Sequence, residues 1–285
     1  MNKALRNLAC SLVLMLPVTS FSQVFFSENF ESGVNPFGFD VYNDFQTNAS
    51  RWFSSALVNE GGDRGRVWKS TFHHYCNDSY FGHDVTQKNN WNITNKIHWR
   101  AYVKFGSRDN SPEWITSTPV SGCAGGIAGQ RSYELKFPDI GGGGGLQLGR
   151  IIGKMRSADS SGNYGRFRLY TPDGTNHDHD SQGGARFISN RWYSVEFMVE
   201  DNGNNDTVKI WINNNNEANP DYSYTGGNMF DSRQWSTGMA FNHGYRNHDV
   251  PRDTEFFYDD VTFSNSFIGL AGNAVAPPAP PSNLR

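Results

Sequence analysis

The stretch 190–215, NRWYSVEFMVEDNGNNDTVKIWINNN, decides the class of fold. It holds two runs of strand length, WYSVEFMVE and TVKIWIN, parted by DNGNND and followed by NNNNEANPD. Apolar runs of this length between clusters of Asn, Asp and Gly read as strands joined by turns, and helical periodicity is absent. The pattern recurs outward in both directions. KIHWRAYVKF, SYELKF, GLQLGRII and GRFRLY precede the stretch, and GMAFNH and EFFYDDVTFS follow it. The chain is therefore expected to be all-β. Strands this numerous and long favour two packed antiparallel sheets, a jelly-roll sandwich, over a small barrel.

The ends of the chain set its expected limits. Lys3 and Arg6 precede an apolar stretch from Leu8 to Val18, and Ser20 and Ser22 are small residues placed as a cleavage site requires, so residues 1–22 read as a secretory signal peptide. Residues 23–270 then form the β-jelly-roll domain, and 271–285, with APPAPPSNLR, a proline-rich tail or linker. Cys10 falls inside the signal, which leaves Cys76 and Cys123 as the mature cysteines, and export permits a disulfide between them. Unbonded, they are small buried hydrophobes.

Removal of Lys3 and Arg6 leaves 23 Lys and Arg against 28 Asp and Glu, a balance that disfavours a basic nucleic-acid binder. No later run approaches the ~18 apolar residues that a membrane helix needs, so membrane insertion is not expected. The mature protein is expected to be a secreted monomer, extracellular or periplasmic. The five glycines Gly141 to Gly145 read as a mobile connection between strands, or as a rim over a groove.

Alternation separates two kinds of side chain in several strands. In NYGRFRLY, Phe167 and Leu169 take one face and Tyr164, Arg166, Arg168 and Tyr170 the other. Two fixed cations flanked by aromatic hydroxyls suit a sugar that bears carboxylates. HWRAYVKF repeats the code, with Trp99, Ala101, Val103 and Phe105 opposite His98, Arg100, Tyr102 and Lys104. In QRSYELKF, Arg131 and Tyr133 share a face with Leu135 and Phe137, opposite Gln130, Glu134 and Lys136. In one curved sheet these rows would pool into a groove. On a convex face they would only cover apolar surface.

Asn242, His243, Tyr245, Arg246 and His248 cluster just before the last strand. His73 and His74, and His177 and His179, match no zinc spacing, so no catalytic metal is expected. FSENFESG at the start and YDDVTFS at the end belong to strands expected to pair. Glu28 or Glu31 would then approach Asp259 or Asp260, and Glu28 with Asp260 is the candidate pair for a structural calcium ion.

With its Trp-Tyr strand, Asn-rich turn and closing FFYDDVTFSNSFIG, the chain resembles the concanavalin-A-like jelly rolls, and among them most closely the alginate-lyase-like polysaccharide lyases. QRSYELK supplies an Arg, Arg131, ahead of the Glu-Leu pair; LQLGR supplies Gln147; FNHGYRN supplies Phe241, Gly244 and Tyr245 in the family's order. The pattern departs from the family in three places. Tyr133 is an extra residue before Glu134, Gly149 stands where a His is usual, and Tyr245 is displaced by one position. The resemblance implies β-elimination on a uronate polysaccharide without a catalytic cofactor. Arg131 and Gln147 would neutralise the substrate carboxylate, and His243 and Tyr245 would serve as base and acid. Tyr164, Arg166, Arg168, Tyr170, Arg100, Tyr102 and Tyr133 would line the groove.

Two other readings stay open. A non-catalytic carbohydrate-binding or lectin-like module would use exposed Trp211 and Trp235 as sugar platforms. A glycoside hydrolase needs paired carboxylates, and the Glu-x-Asp-x-x-Glu strand of laminarinase-like members does not occur here.

Overall fold

The computed structural model describes residues 23–33, 53–61, 64–72, 81–87, 93–107, 133–137, 141–142, 146–147, 150–155, 165–170, 176–178, 190–229, 239–246 and 254–271. Every regular element of any length among them is a strand. In chain order the first eight are β1 (Val24–Glu28), β2 (Phe53–Asn59), β3 (Arg66–Phe72), β4 (Phe81–Gln87), β5 (Lys96–Ser107), β6 (Tyr133–Phe137), β7 (Gly141–Gly142) and β8 (Leu146–Gln147). The rest are β9 (Arg150–Met155), β10 (Gly165–Tyr170), β11 (Asn176–Asp178), β12 (Trp192–Glu200), β13 (Thr207–Ile212), β14 (Tyr222–Thr225), β15 (Met239–Arg246) and β16 (Thr254–Ser264). All-β organisation is thus as the sequence implies. Among the described residues no helix is long and apolar enough to cross a membrane.

Eight strands form one antiparallel sheet in the order β14-β13-β12-β5-β16-β3-β2, with β1 paired to the far end of β16. The first and last strands pair as expected, Glu28 opposite Val261. One face of this sheet is apolar and buried. Trp99, Phe197, Val195, Ile210, Trp68, Tyr258 and Phe263 belong to it, Trp99 and Phe197 with ring centroids 5.4 Å apart. Each such side chain contributes about 1.5–3 kcal/mol through burial, which makes this face the centre of the fold's stability.

Asparagine and aspartate build the turns at the edge of that sheet. Asp206 is fully buried and accepts hydrogen bonds from the Asn202 amide at 2.8 Å and the Met229 amide at 2.6 Å. Asp201 receives the amide of Gly203, whose φ of 74° is open to glycine without the Cβ clash of other residues. In the next turn Asp221 accepts the Ile212 amide at 2.7 Å. Short polar side chains thus replace backbone partners where the chain reverses.

The remaining strands form two groups, β11-β10-β9-β6 and β4-β15-β7-β8. Phe137 pairs with Ile151 and Gly141 with Gln147, and each strand advances four residues between these pairs. The two pairings therefore keep the same offset between the two stretches of chain. β6 also lies alongside β15 with Cα atoms within 8 Å. That is nearer than the ~10 Å between stacked sheets, so the two groups adjoin edge to edge as one layer. Gly141 and Gly142 belong to β7 instead of a loop, because the ladder holds their backbone; Gly143 to Gly145 lie outside the described residues.

Candidate functional site

The outer face of the eight-stranded sheet carries the polar row of β5, and here the structure departs from the pooled groove. Arg100 is only 5% exposed and Tyr102 not at all, because residues 265–271 lie across them. Arg100 donates to Thr262 Oγ1 at 3.2 Å and to the Gly269 carbonyl at 3.4 Å, and Tyr102 Oη accepts the Ala271 amide at 3.1 Å. His98 Nδ1 meets Glu196 Oε1 at 2.8 Å, and Glu196 also accepts the amides of Ile268 and Gly269 at 2.9 and 2.8 Å. Arg100 and Tyr102 are therefore part of a buried network and not groove residues. β5 and β10 belong to different sheets, so their like patterns never share a face.

Trp211 is likewise no sugar platform. It is 1% exposed, stacks near His98 with centroids 5.9 Å apart, and donates Nε1–H to the Asn216 carbonyl at 3.1 Å. Its strand has both faces covered, which a run of alternating residues cannot reveal.

A second cluster on the outer face surrounds a bulge in β16. Asp259 pairs with Tyr102 and Thr262 with Arg100, so one extra residue is accommodated, and Asp260 takes a φ of 49°. Arg64 lies 3.5 Å above the Tyr102 ring and bridges Asp259 at 3.2 Å and Asp260 at 3.0 Å. Burial first, then the neighbouring Asp260 charge, pushes Asp259 up to about 7, against the opposing pull of Arg64. Lys104 pairs with Glu60 and is brought down to about 8 by burial. Glu60 also accepts Trp192 Nε1–H at 2.9 Å.

These contacts bear on the expected calcium pair. The charge partner of Asp260 is Arg64, and Glu28 accepts the Phe30 amide at 2.6 Å. Among the described residues no group of three or more His, Cys, Asp or Glu side chains is arranged to hold a metal ion.

The other layer is placed by its backbone registers. Arg166 pairs with Lys154, Arg168 with Ile152 and Tyr170 with Arg150; Glu134 pairs with Lys154, Lys136 with Ile152, and Asp178 with Arg168. Residues directly opposite in a ladder share a face. One face of these four strands thus holds Lys136, Arg150, Lys154, Arg166 and Arg168 against Glu134 and Asp178, in a chain whose formal net charge is −3. Tyr133 pairs with Met155 and takes the opposite face, with Leu135 and Phe167, so it does not join the arginine row. Arg150 and Lys154 were missed by sequence reading, although their spacing in RIIGKM carries the same alternation.

Gln147 and Tyr245 share one face of the neighbouring strands, and His243 is left unmatched in β15. Ala240 pairs with Gly141, which pairs with Gln147, so Gln147 shares the face of Ala240 and Asn242. Asn242 pairs with Asp84, and after an irregularity Gly244 pairs with His83 and Tyr245 with Gly82. Gly82 and Asp84 share a face of β4. Tyr245 is therefore on the face of Asn242, Asp84 and Gln147, with Met239 and Phe241 on the other. Asn242 and Asp84 were not singled out as partners of Gln147 in the sequence, since only the β4–β15 pairing unites them. Arg131, Tyr164, Cys76, Cys123, Trp235, His73, His74, His179 and His248 lie outside the described residues.

No protein-family model matches the chain, and no curated protein does. Among solved structures it is similar to the alginate lyase AlyC3, at 10% identity over 70% of this chain and 75% of that one, with a TM-score of 0.40. It is also similar to the catalytic domain of a glycoside hydrolase family 131 protein from Coprinopsis cinerea, at 12% identity over 83% and 88%, with a TM-score of 0.48. A third is lectin I from Ulex europaeus in complex with the methyl glycoside of α-L-fucose, at 9% identity over 84% and 97%, with a TM-score of 0.44. The all-β class rests on the strand ladders themselves.

Proposed function

We propose that this is a secreted protein that holds an acidic, uronate-bearing polysaccharide along the cationic face of β6, β9, β10 and β11 and cleaves it by β-elimination. The observation that carries the reading is the collection of five Lys and Arg positions on that face, against two carboxylates. Guanidinium groups bind carboxylates bidentately, and a row of them along a strand suits a polymer with a carboxylate on successive sugars.

Cleavage draws on the face shared by Gln147, Asn242 and Tyr245. An amide donates hydrogen bonds to the substrate carboxylate, which stabilises the carbanion formed when the neighbouring C–H proton is removed. Tyr245 or His243 takes that proton, the C–O bond to the leaving sugar breaks, and the departing oxygen receives a proton as the new C=C bond forms. Apolar residues flank both polar sets on the reverse side: Met239, Phe241 and Val85 at one end, Leu135, Phe137, Phe167 and Leu169 at the other. The reading requires that both apolar sides face the core, so that the two polar sets line one outer groove.

A second reading has its own observation. Unbroken alternation from Phe137 to Gly141 would put Gln147 and Arg168 on opposite sides of the layer, and the protein would then bind polysaccharide without cutting it. The test mixes purified protein with alginate, glucuronan, pectate and glycosaminoglycans and follows the ultraviolet absorbance of the unsaturated product. A rise with one polymer supports elimination and names the substrate. Retarded migration in a gel containing one polymer, without any rise, supports the binding module. Neither effect with any acidic polymer overturns the proposal.

A further inference from the structure

We infer that Asn202 is a site of spontaneous covalent modification, deamidating to aspartate and isoaspartate with Asp201 drawing the proton from the attacking nitrogen. The inference is independent of polysaccharide binding. Asn202 and Gly203 form the one Asn-Gly pair in the sequence. They occupy the turn between β12 and β13, where residues 202–205 are all exposed. Asparagine is a chemically labile residue. Deamidation joins its Cγ to the next backbone nitrogen in a cyclic imide, and a following glycine has no Cβ to crowd that closure.

Three features of this turn favour the reaction. Among the described residues the Asn202 carboxamide has no hydrogen-bond partner, so its Cγ is free to turn toward the backbone. No atom beyond the chain neighbours lies within 4 Å of where a Gly203 Cβ would stand, so the nitrogen is approached through open space. The Gly203 N–H also donates to Asp201 Oδ1 at 3.0 Å. That proton must leave for the nitrogen to attack, and a carboxylate already holding it is placed as a general base. The Asx turn that reverses the chain thereby prepares the reaction.

As the Gly203 nitrogen loses its proton to Asp201 it bonds to Asn202 Cγ, and the side-chain nitrogen takes up a proton and leaves as ammonia. Water then opens the imide at either carbonyl, leaving a carboxylate at 202 and, in isoaspartate, one extra methylene in the backbone. Both amides that hold the turn flank this change: Asn202 N–H on buried Asp206 at 2.8 Å and Gly203 N–H on Asp201. Asn205 supplies the contrast. It is also exposed, but the next nitrogen belongs to fully buried Asp206 and donates to the Gly227 carbonyl at 3.1 Å.

The experiment ages the purified mature protein in neutral buffer and follows residues 202–205 by peptide mass mapping, with isoaspartate identified by enzymatic methylation. Asn202 is expected to convert at least about ten-fold faster than Asn204 or Asn205. Asp201→Asn keeps an acceptor for the Gly203 amide but removes the base, and should slow conversion about ten-fold or more. Asn202→Gln should abolish it, because ring closure then has to span one more carbon. The converted protein, separated by its added negative charge, should melt about 2–4 °C below the unaged protein.

Conversion of Asn202 no faster than that of Asn204 or Asn205 overturns the site. An equal or faster rate in Asp201→Asn overturns the part given to Asp201. An unaltered midpoint in the converted protein overturns the coupling of Asn202 to the turn held by Asp206.

Discussion

Two strands, β5 and β10, carry the same written code and end in opposite circumstances. HWRAYVKF and GRFRLY both alternate apolar residues with Arg, Tyr and other polar groups. In β5 the polar row is sealed beneath residues 265–271, where Glu196, Thr262 and the Gly269 carbonyl absorb its charges and donors. In β10 the row joins Lys154, Arg150 and Lys136 on one face of a sheet whose carboxylates are fewer. Alternation separates two faces; whether a polar face is used for binding or for holding the fold depends on what covers it.

The sharpest break between the two regions is expected from Glu196→Ala. It removes the acceptor for His98 and for two backbone amides in a buried site, and should lower stability by about 3–5 kcal/mol in urea unfolding. Retention of acidic polysaccharide by the folded fraction should not change. A loss under 1 kcal/mol would mean that the placement of residues 265–271 does not depend on this network.

The converse variant, Arg166→Ala with Arg168→Ala, should weaken polymer binding about a hundred-fold, each lost charge-assisted bond being worth about 1.5–3 kcal/mol. Stability should stay within about 0.5 kcal/mol, and the affinity that remains should depend less on salt. Affinity measured by gel retardation at several ionic strengths decides this, and equal affinity would remove the cationic face from the proposal.

An intermediate effect belongs to Asp259. Its folded value of about 7 lies above the ordinary 3.8, so between these values the folded protein holds a proton that the unfolded chain has released. The contribution of this group is complete below about pH 4 and is lost as pH rises through about 7. Asp259→Asn should flatten that part of the stability–pH curve. An unchanged slope would mean that Arg64 holds Asp259 ionised throughout.

The smallest effect is expected at Trp211. Trp211→Phe keeps the packing beside His98 and Phe267 but loses the bond to the Asn216 carbonyl, for about 1 kcal/mol. Polysaccharide affinity should be unaltered. A marked loss of affinity would return Trp211 to the sugar-platform role.

Much of the candidate site was legible because alternation is a local property. Arg166, Arg168 and Tyr170 were assigned to one face from sequence, and the β9–β10 ladder agrees. Tyr245 was legible as a residue but not as a position, because the face it takes depends on the unmatched His243 in its own strand, which only the pairing with β4 reveals. Arg64 was not singled out at all. It lies remote in sequence from Asp259 and meets it only because β3 and β5 flank β16.

By itself the sequence determined the strands, the turns that join them and the two-faced character of each, since dihedral preference, side-chain alternation and Asx turns act over a few residues. Only the tertiary structure decided which polar rows are buried, which cations share a face, and that Gln147 shares a face with Tyr245. Those depend on sheet order, register and one bulge, and all three are set by contacts between residues far apart in the chain.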